Sequence, residues 1–300
     1  MKYRITHNTV YDYSQPVGLC QNEAKLSPRD FWRQRCLSSQ LNITPNAMDY
    51  QERLDYFGNR VAYFAVQQAH TRLVVSAVNE VLVLPAADQQ NVGSKVSWEQ
   101  VQNILTGANL SSSTGNGYYD LLEAKQFMID SPMIAVSAQL ADYASLSFSP
   151  RRPLKEVVTD LMQRIHHDFT YDPAFTTVAT PLSEVLAHRR GVCQDFAHLA
   201  IGCLRAYGIP ARYISGYIET TPEPGVPRLV GADASHAWFA VYLPDAGWLD
   251  FDPTNNSLPY DQHITVAWGR DYSDVTPLKG IAFGGGQHTL SVSVDVLRLE

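Results

Sequence analysis

The chain has 300 residues, enough for one large domain or two ordinary ones with a sizeable core. Hydrophobic residues make up 45% against 18% charged, which excludes a disordered chain, and a net charge of −7 without a Lys/Arg-rich stripe argues against a nucleic-acid partner. No run approaches the roughly 20 apolar residues of a membrane helix, and Met1-Lys2-Tyr3-Arg4-Ile5-Thr6-His7 lacks the apolar centre of a signal peptide. A cytoplasmic protein with no membrane partner is therefore expected.

Residues 1–90 read as a β-rich N-terminal domain. Tyr3 and Ile5 alternate with polar residues, Asp55-Tyr56-Phe57-Gly58-Asn59 is a turn, and the runs 61–66, 73–75 and 81–84 are rich in strand formers. Residues 91–130 read as a linker with short helices, rich in Gly, Ser, Asn and Gln, and a helix is expected near Trp98. A core follows over 131–260. Ser131-Pro132 predicts a helix over 133–143. Pro153 opens a second, with Leu154, Val157, Val158, Leu161 and Ile165 on one stripe, and Thr180-Pro181 opens a third that ends near Gly191. After Gly208 the pattern returns to strands up to about 254. A C-terminal extension, 261–300, ends in a strand on which Leu290, Val292, Val294 and Val296 alternate with polar residues. The fold class is thus α+β.

Of Cys20, Cys36, Cys193 and Cys203, no two form a C-x-x-C pair, and four cysteines in so long a chain do not make a disulfide scaffold. Phe196, Leu199, Ala200, Cys203, Leu204 and Tyr207 form one apolar helical face, closed by Gly208 and Pro210. Cys203 lies on that stripe and reads as a core residue. Cys193 precedes the stripe, at the first turn, where unpaired N–H groups favour a thiolate and can hold an oxyanion. Asp195 on the same turn partly opposes the thiolate.

Residues 235–243 and 248–254 read as a hairpin around Pro244-Asp245-Ala246-Gly247. Opposed residue numbers in an antiparallel pair have a constant sum. If Leu243 opposes Trp248, Asp252 faces away from His236. If Tyr242 opposes Trp248, Asp252 becomes a diagonal neighbour of His236, about 7–8 Å off between backbones and within side-chain reach. A carboxylate there would fix the imidazole tautomer and leave the other nitrogen for the thiol proton. Each residue alone also fits a structural role: a buried cysteine, a strand-end histidine, an aspartate capping the turn at Pro253. His198 and the pair His166-His167 read as structural.

These segments resemble the transglutaminase-like superfamily, specifically bacterial transglutaminase-like cysteine peptidases. The likeness is carried by Gly191-Val192-Cys193-Gln194-Asp195-Phe196-Ala197, Gly208-Ile209-Pro210-Ala211-Arg212, Ser215-Gly216-Tyr217, His236-Ala237-Trp238 and Gly247-Trp248 leading to Phe251-Asp252-Pro253-Thr254. The start of the chain, the turn at Asp55 and Gly269-Arg270-Asp271-Tyr272 extend it to nearly the whole length. The resemblance implies a β-rich domain before a papain-like core whose cysteine-bearing helix packs on an antiparallel sheet. It implies Cys193 as nucleophile, His236 as base and Asp252 as its orienter, with Tyr171 the candidate for a second oxyanion donor. Animal members require calcium; no D-x-D-x-D-G loop is present, so neither metal nor cofactor is expected. The expected reaction is thiol-dependent acyl transfer on an amide or peptide carbonyl of a peptide or protein substrate, with hydrolysis ahead of transamidation. A non-catalytic peptide-binding module and a scaffold built on the β domain are the alternatives. Oligomeric state is not legible.

Overall fold

The computed structural model describes residues 1–84, 95–107, 116–219 and 235–299, the side chains of 116–120 excepted. The linker segments 85–94 and 108–115 lie outside the described residues, as does 220–234.

The N-terminal sheet is built around one long strand. β1 (Lys2–Ala24) is flanked along 2–12 by β5 (His70–Val83) and β13 (His288–Arg298). Along 17–24 its neighbours are β4 (Arg60–Val66) and β12 (Leu278–Gly284). The change of partners falls at Ser14-Gln15-Pro16, an exposed stretch where the register shifts. Pro16 has no N–H to give a ladder, so the strand irregularity sits where pairing is already interrupted. β2 (Gln34–Thr44) and β3 (Asp49–Leu54) are the outer strands of the order β2-β5-β1-β4-β3. One end of this sheet supplies Tyr3, Ile5, Val81, Val83, Val294 and Val296 to the main core, while Val17, Cys20, Phe64, Val66, Leu73 and Val75 form a second cluster at the other end.

The expected helix near Trp98 is α1 (Trp98–Thr106), opened by a capping box between Ser97 and Gln100. α2 (Asn116–Lys125) follows. The helix expected over 133–143 is shorter and starts later. Ser131 and Ile134 close a turn by exchanging backbone hydrogen bonds of 2.9 and 3.0 Å. The Met133 N–H is taken by Asp271 at 2.7 Å and the Val136 N–H by Asp130 at 3.0 Å. Only at Ser137, whose hydroxyl caps Leu140, does α3 (Ala138–Ala144) begin. Tertiary carboxylates here override a local Ser-Pro signal. α4 (Leu154–Asp168) follows Pro153 and buries all five stripe residues; α5 (Leu182–His188) ends at Arg189, in the left-handed region at φ 55°.

A second sheet, order β10-β9-β8-β11, comprises β8 (Ala211–Ile218), β9 (Ser235–Leu243), β10 (Gly247–Phe251) and β11 (His263–Gly269). α6 (Cys193–Ala206) packs against β8 and β9. Phe239 and Val241 join the α6 residues in the main core, whereas Ile214, Trp238 and Ala240 form a separate cluster beside Trp248 and Trp268. N-terminal residues close over that cluster. The Arg29 guanidinium lies 3.2 Å from the Trp268 ring centre, and Gln34 bonds both the N–H and the C=O of Thr265, at 2.8 and 2.7 Å. The stretch 261–300 divides between the sheets: β11 joins β8, and β12 and β13 join β1. Among the described residues no helix is long and apolar enough to cross a membrane.

Candidate active site

Cys193 is the first residue of α6 and is half-buried. The turn ahead of it is shaped by Asp195, whose Oδ2 accepts from the Val192 N–H at 2.8 Å and the Thr176 hydroxyl at 2.7 Å. Gly191 lets that carboxylate fold back, since a Cβ at 191 would meet Asp195 Cβ and Oδ2 at 2.8 Å. Burial raises the Asp195 pKa. The other α6 thiol, Cys203, is fully buried, and burial pushes it up to about 12. It is the inert cysteine of the pair.

His236 is the second residue of β9 and lies opposite Gly216 of β8. A Cβ at 216 would collide with the Ile264 carbonyl and the Trp238 ring, so glycine there lets Trp238 pack beside His236. The hairpin adopts the register in which Tyr242 opposes Trp248. Leu243 also pairs with Gly247, leaving a three-residue loop that Gly247 completes at φ 75°. Asp252 follows β10 on the His236 side, and its Oδ2 lies 2.8 Å from His236 Nε2. That contact leaves Nδ1 as the nitrogen able to face Cys193, which is near enough to His236 to raise its pKa.

Asp252 is fully buried and heavily hydrogen-bonded. Oδ1 accepts from the Thr254 and Asn255 N–H groups at 3.0 and 3.1 Å. Oδ2 accepts from Asn255 Nδ2 at 2.7 Å and faces His263 Nε2 at 3.0 Å as well as His236. Burial works against charge on both His236 and Asp252. Their mutual hydrogen bond, with Cys193 and His263 adding to it, outweighs that, raising His236 to about 10 and holding Asp252 well below the carboxylate range. Burial lowers His263, against the pull of Asp252.

Tyr171 lies near the cysteine but on the open side. β6 (Thr170–Tyr171) pairs in parallel with β7 (Arg190–Gly191), which sets Tyr171 beside Gly191, two residues before Cys193. Its ring is half exposed and stands 6.3 Å from Phe196, edge to face. Burial, then the proximity of Cys193 and Asp195, raises its pKa. Trp238 and Tyr242 are buried, and Trp248 packs against Tyr242, Phe127 and the Arg212 guanidinium.

His263, Asn255 and Arg33 are absent from the residues that the sequence singles out. Arg33 pairs with Asp250 at 2.9 Å and also donates to the Pro259 and Tyr260 carbonyls, holding the connection between β10 and β11. The Asn255 position, three residues after Asp252, is a local signal that a capping argument could find. His263 and Arg33 carry no such signal, because only the tertiary crossing of the connection brings them to the acids. His236, Asp252 and His263 offer donor atoms within 4.8 Å of one another, a set a divalent cation could take. Here those nitrogens and the Asn255 amide converge on one carboxylate oxygen, an arrangement suited to N–H donors.

A thiol at a helix N-terminus, facing an imidazole and a buried carboxylate on an antiparallel sheet, defines a transglutaminase-like core. Residues 143–253 match the transglutaminase-like superfamily, and residues 3–82 match the bacterial transglutaminase-like N-terminal region. The chain belongs to this family. It is 40% identical to the uncharacterized protein Mb2599c of Mycobacterium bovis, over 100% of this chain and 93% of that protein. A protein-glutamine gamma-glutamyltransferase of Pseudomonas aeruginosa is 35% identical over 137 residues, 43% of this chain and 20% of that one. In fold it is similar to a solved structure of a candidate cysteine protease from Cytophaga hutchinsonii. The TM-score is 0.74 at 21% identity, covering 100% of this chain and 91% of that one.

Proposed function

We propose that the chain is a cysteine-dependent acyl-transfer enzyme acting on an amide or peptide carbonyl, and that water is its principal acceptor. The observation that carries this reading is that Cys193, at a helix N-terminus, is close enough to His236 to raise its pKa, while His236 Nε2 lies 2.8 Å from the buried Asp252 carboxylate. Cys193 passes its thiol proton to His236 Nδ1, and the sulfur attacks the carbonyl carbon. Asp252, accepting from Nε2, stabilises the imidazolium. The backbone N–H groups opening α6, with Tyr171 as a second donor, receive the oxyanion; one such donor is worth about 2.7–4 kcal/mol. Collapse breaks the C–N bond, the amine leaves with the proton from His236, and a thioester on Cys193 remains. Water then attacks, gives its proton to His236, and releases the acid as the thiol is restored.

Transamidation is the second reading, favoured by the stretch shared with the Pseudomonas glutamyltransferase. It needs an amine to outcompete water at the thioester, hence a dry acceptor cleft. The aromatics that could line one, Trp238, Tyr242 and Trp248, are engaged in packing. The two readings separate when a glutamine-containing peptide is supplied with a fluorescent primary amine at millimolar concentration and both products are measured. Free acid should exceed amine adduct. Predominant amine incorporation would make the protein a transferase.

A further inference from the structure

We propose that His263 is a positioning residue of the same site, a neutral imidazole that shares the Asp252 carboxylate with His236 and sets how strongly Asp252 stabilises the His236 imidazolium. The inference rests on the acyl-transfer reading. Its basis is geometric. Asp252 sits just after β10 at one edge of the core sheet, and His263 opens β11 at the other edge. The 252–262 connection crosses the end of the sheet and returns, so that Asp252 Oδ2 faces both imidazoles, at 2.8 Å from His236 Nε2 and 3.0 Å from His263 Nε2. The Trp238 ring packs against both, edge-on to His263 at 5.1 Å between centres and near-parallel to His236 at 5.9 Å.

The two imidazoles differ in what stands on their far side. His236 has Cys193 to give it a proton. Among the described residues His263 Nδ1 is buried without a hydrogen-bond partner, so a proton there would have none of them to receive it. The tautomer that satisfies the site carries its one proton on Nε2, aimed at Asp252. The charged and titratable groups facing His236 are Cys193 from α6, Asp252 and His263; those facing His263 are Asp252, His236 and Arg33. With Arg33 already positive nearby, a second imidazolium would be repelled, and burial disfavours it further.

A neutral donor on Oδ2 has two consequences. Together with the Asn255 amide on Oδ2 and the Thr254 and Asn255 N–H groups on Oδ1, it holds the carboxylate's rotation, so that Oδ2 stays on His236. It also disperses part of the negative charge, which keeps Asp252 from stabilising the imidazolium so strongly that Nδ1 no longer gives its proton to the leaving amine. Removing the donor while keeping the volume should therefore slow turnover and make His236 more basic.

The test compares His263→Leu, which deletes the donor, with His263→Gln, whose amide N–H reaches about where Nε2 stands. Steady-state kinetics on the full chain and the pH profile of Cys193 alkylation by iodoacetamide are the readouts. His263→Leu should lower kcat roughly 10- to 100-fold with KM little changed, the range expected when a reacting group loses its positioning. The alkaline limb of the alkylation profile should move up by about half a unit to one unit. His263→Gln should restore most of kcat and the wild-type limb. A folded Leu variant with wild-type kcat and profile, or a Gln variant as impaired as Leu, overturns the inference. Should the Leu variant not fold, nitrogen-15 NMR of the wild-type imidazoles decides. A neutral, Nε2-protonated His263 at pH 7 supports the assignment, and a charged or Nδ1-protonated one contradicts it. Absence of selective Cys193 alkylation in the wild type would instead refute the acyl-transfer reading itself.

Discussion

Strand β5 of the N-terminal sheet alternates buried and half-buried residues from Leu73 to Val83, whereas β8 and β9 of the core sheet are buried almost without interruption. The first sheet leaves alternate positions to water; β2 and β3 are largely exposed. The second lies between α6 and the N-terminal segment around Arg29–Gln34, so its polar groups can find hydrogen-bond partners only inside the protein, and among the described residues Arg212 Nε, His263 Nδ1, Thr265 Oγ1 and Trp268 Nε1 find none. His236, Asp250 and Asp252 all find one. The partners come partly from the other region: Arg33 for Asp250, Gln34 for Thr265, and Asn59 for the Trp268 backbone at 2.8 and 2.9 Å. The β-rich N-terminal region is therefore part of the wall that holds the candidate site, and not merely an appendage to it.

The largest effects should come from the line of residues at the end of the core sheet. Cys193→Ala and His236→Ala should each lower kcat by about 10⁶-fold and Asp252→Ala by about 10⁴-fold, following the pattern of hydrolases in which these groups act as a unit. Far-UV and near-UV circular dichroism should show the fold retained. The ordering carries the information: a loss at Asp252 equal to that at His236 would mean that Asp252 does more than orient and stabilise.

Next in size is the seam between the regions. Arg33→Leu leaves Asp250 buried without its ion-pair partner, which typically costs about 3–5 kcal/mol. Urea denaturation should show that loss. It should also show less than about 0.5 kcal/mol for Glu52→Ala on the exposed strand β3. Similar small effects for both would dissolve the contrast between a covered sheet and a wet one.

The elements best legible in the sequence were those whose pattern is local. The stripe on α4 is a single apolar face opened by Pro153; the stripe on α6, closed by Gly208, marks only part of a helix that is buried at every position from Asp195 to Arg205. The β9–β10 hairpin is legible, but two registers stay open in the sequence; the pairing of Tyr242 with Trp248, and Gly247 at φ 75°, come from the structure. The helix expected over 133–143 begins instead at Ala138, because Asp271, which lies 138 residues from Met133 in the chain, captures a backbone N–H. The final strand keeps its alternation, yet Leu290 and Val292 are 52% exposed while Val294 and Val296 are buried, since β13 runs past the edge of the main core. His263 carries no sequence signal for a related reason. Its place beside Asp252 is set by the pairing of β11 with β8, a contact with no signature in sequence spacing.

The central claim is that Cys193 carries the acyl group. Incubating the full chain with a peptide or amide library, quenching in acid and mapping thioesters by mass spectrometry tests it directly. An acyl adduct on Cys193 that builds up within the first turnovers and disappears on chase, with Cys203 unmodified, is the predicted result. Product formation without any Cys193 adduct, or with the adduct on another cysteine, would contradict the account.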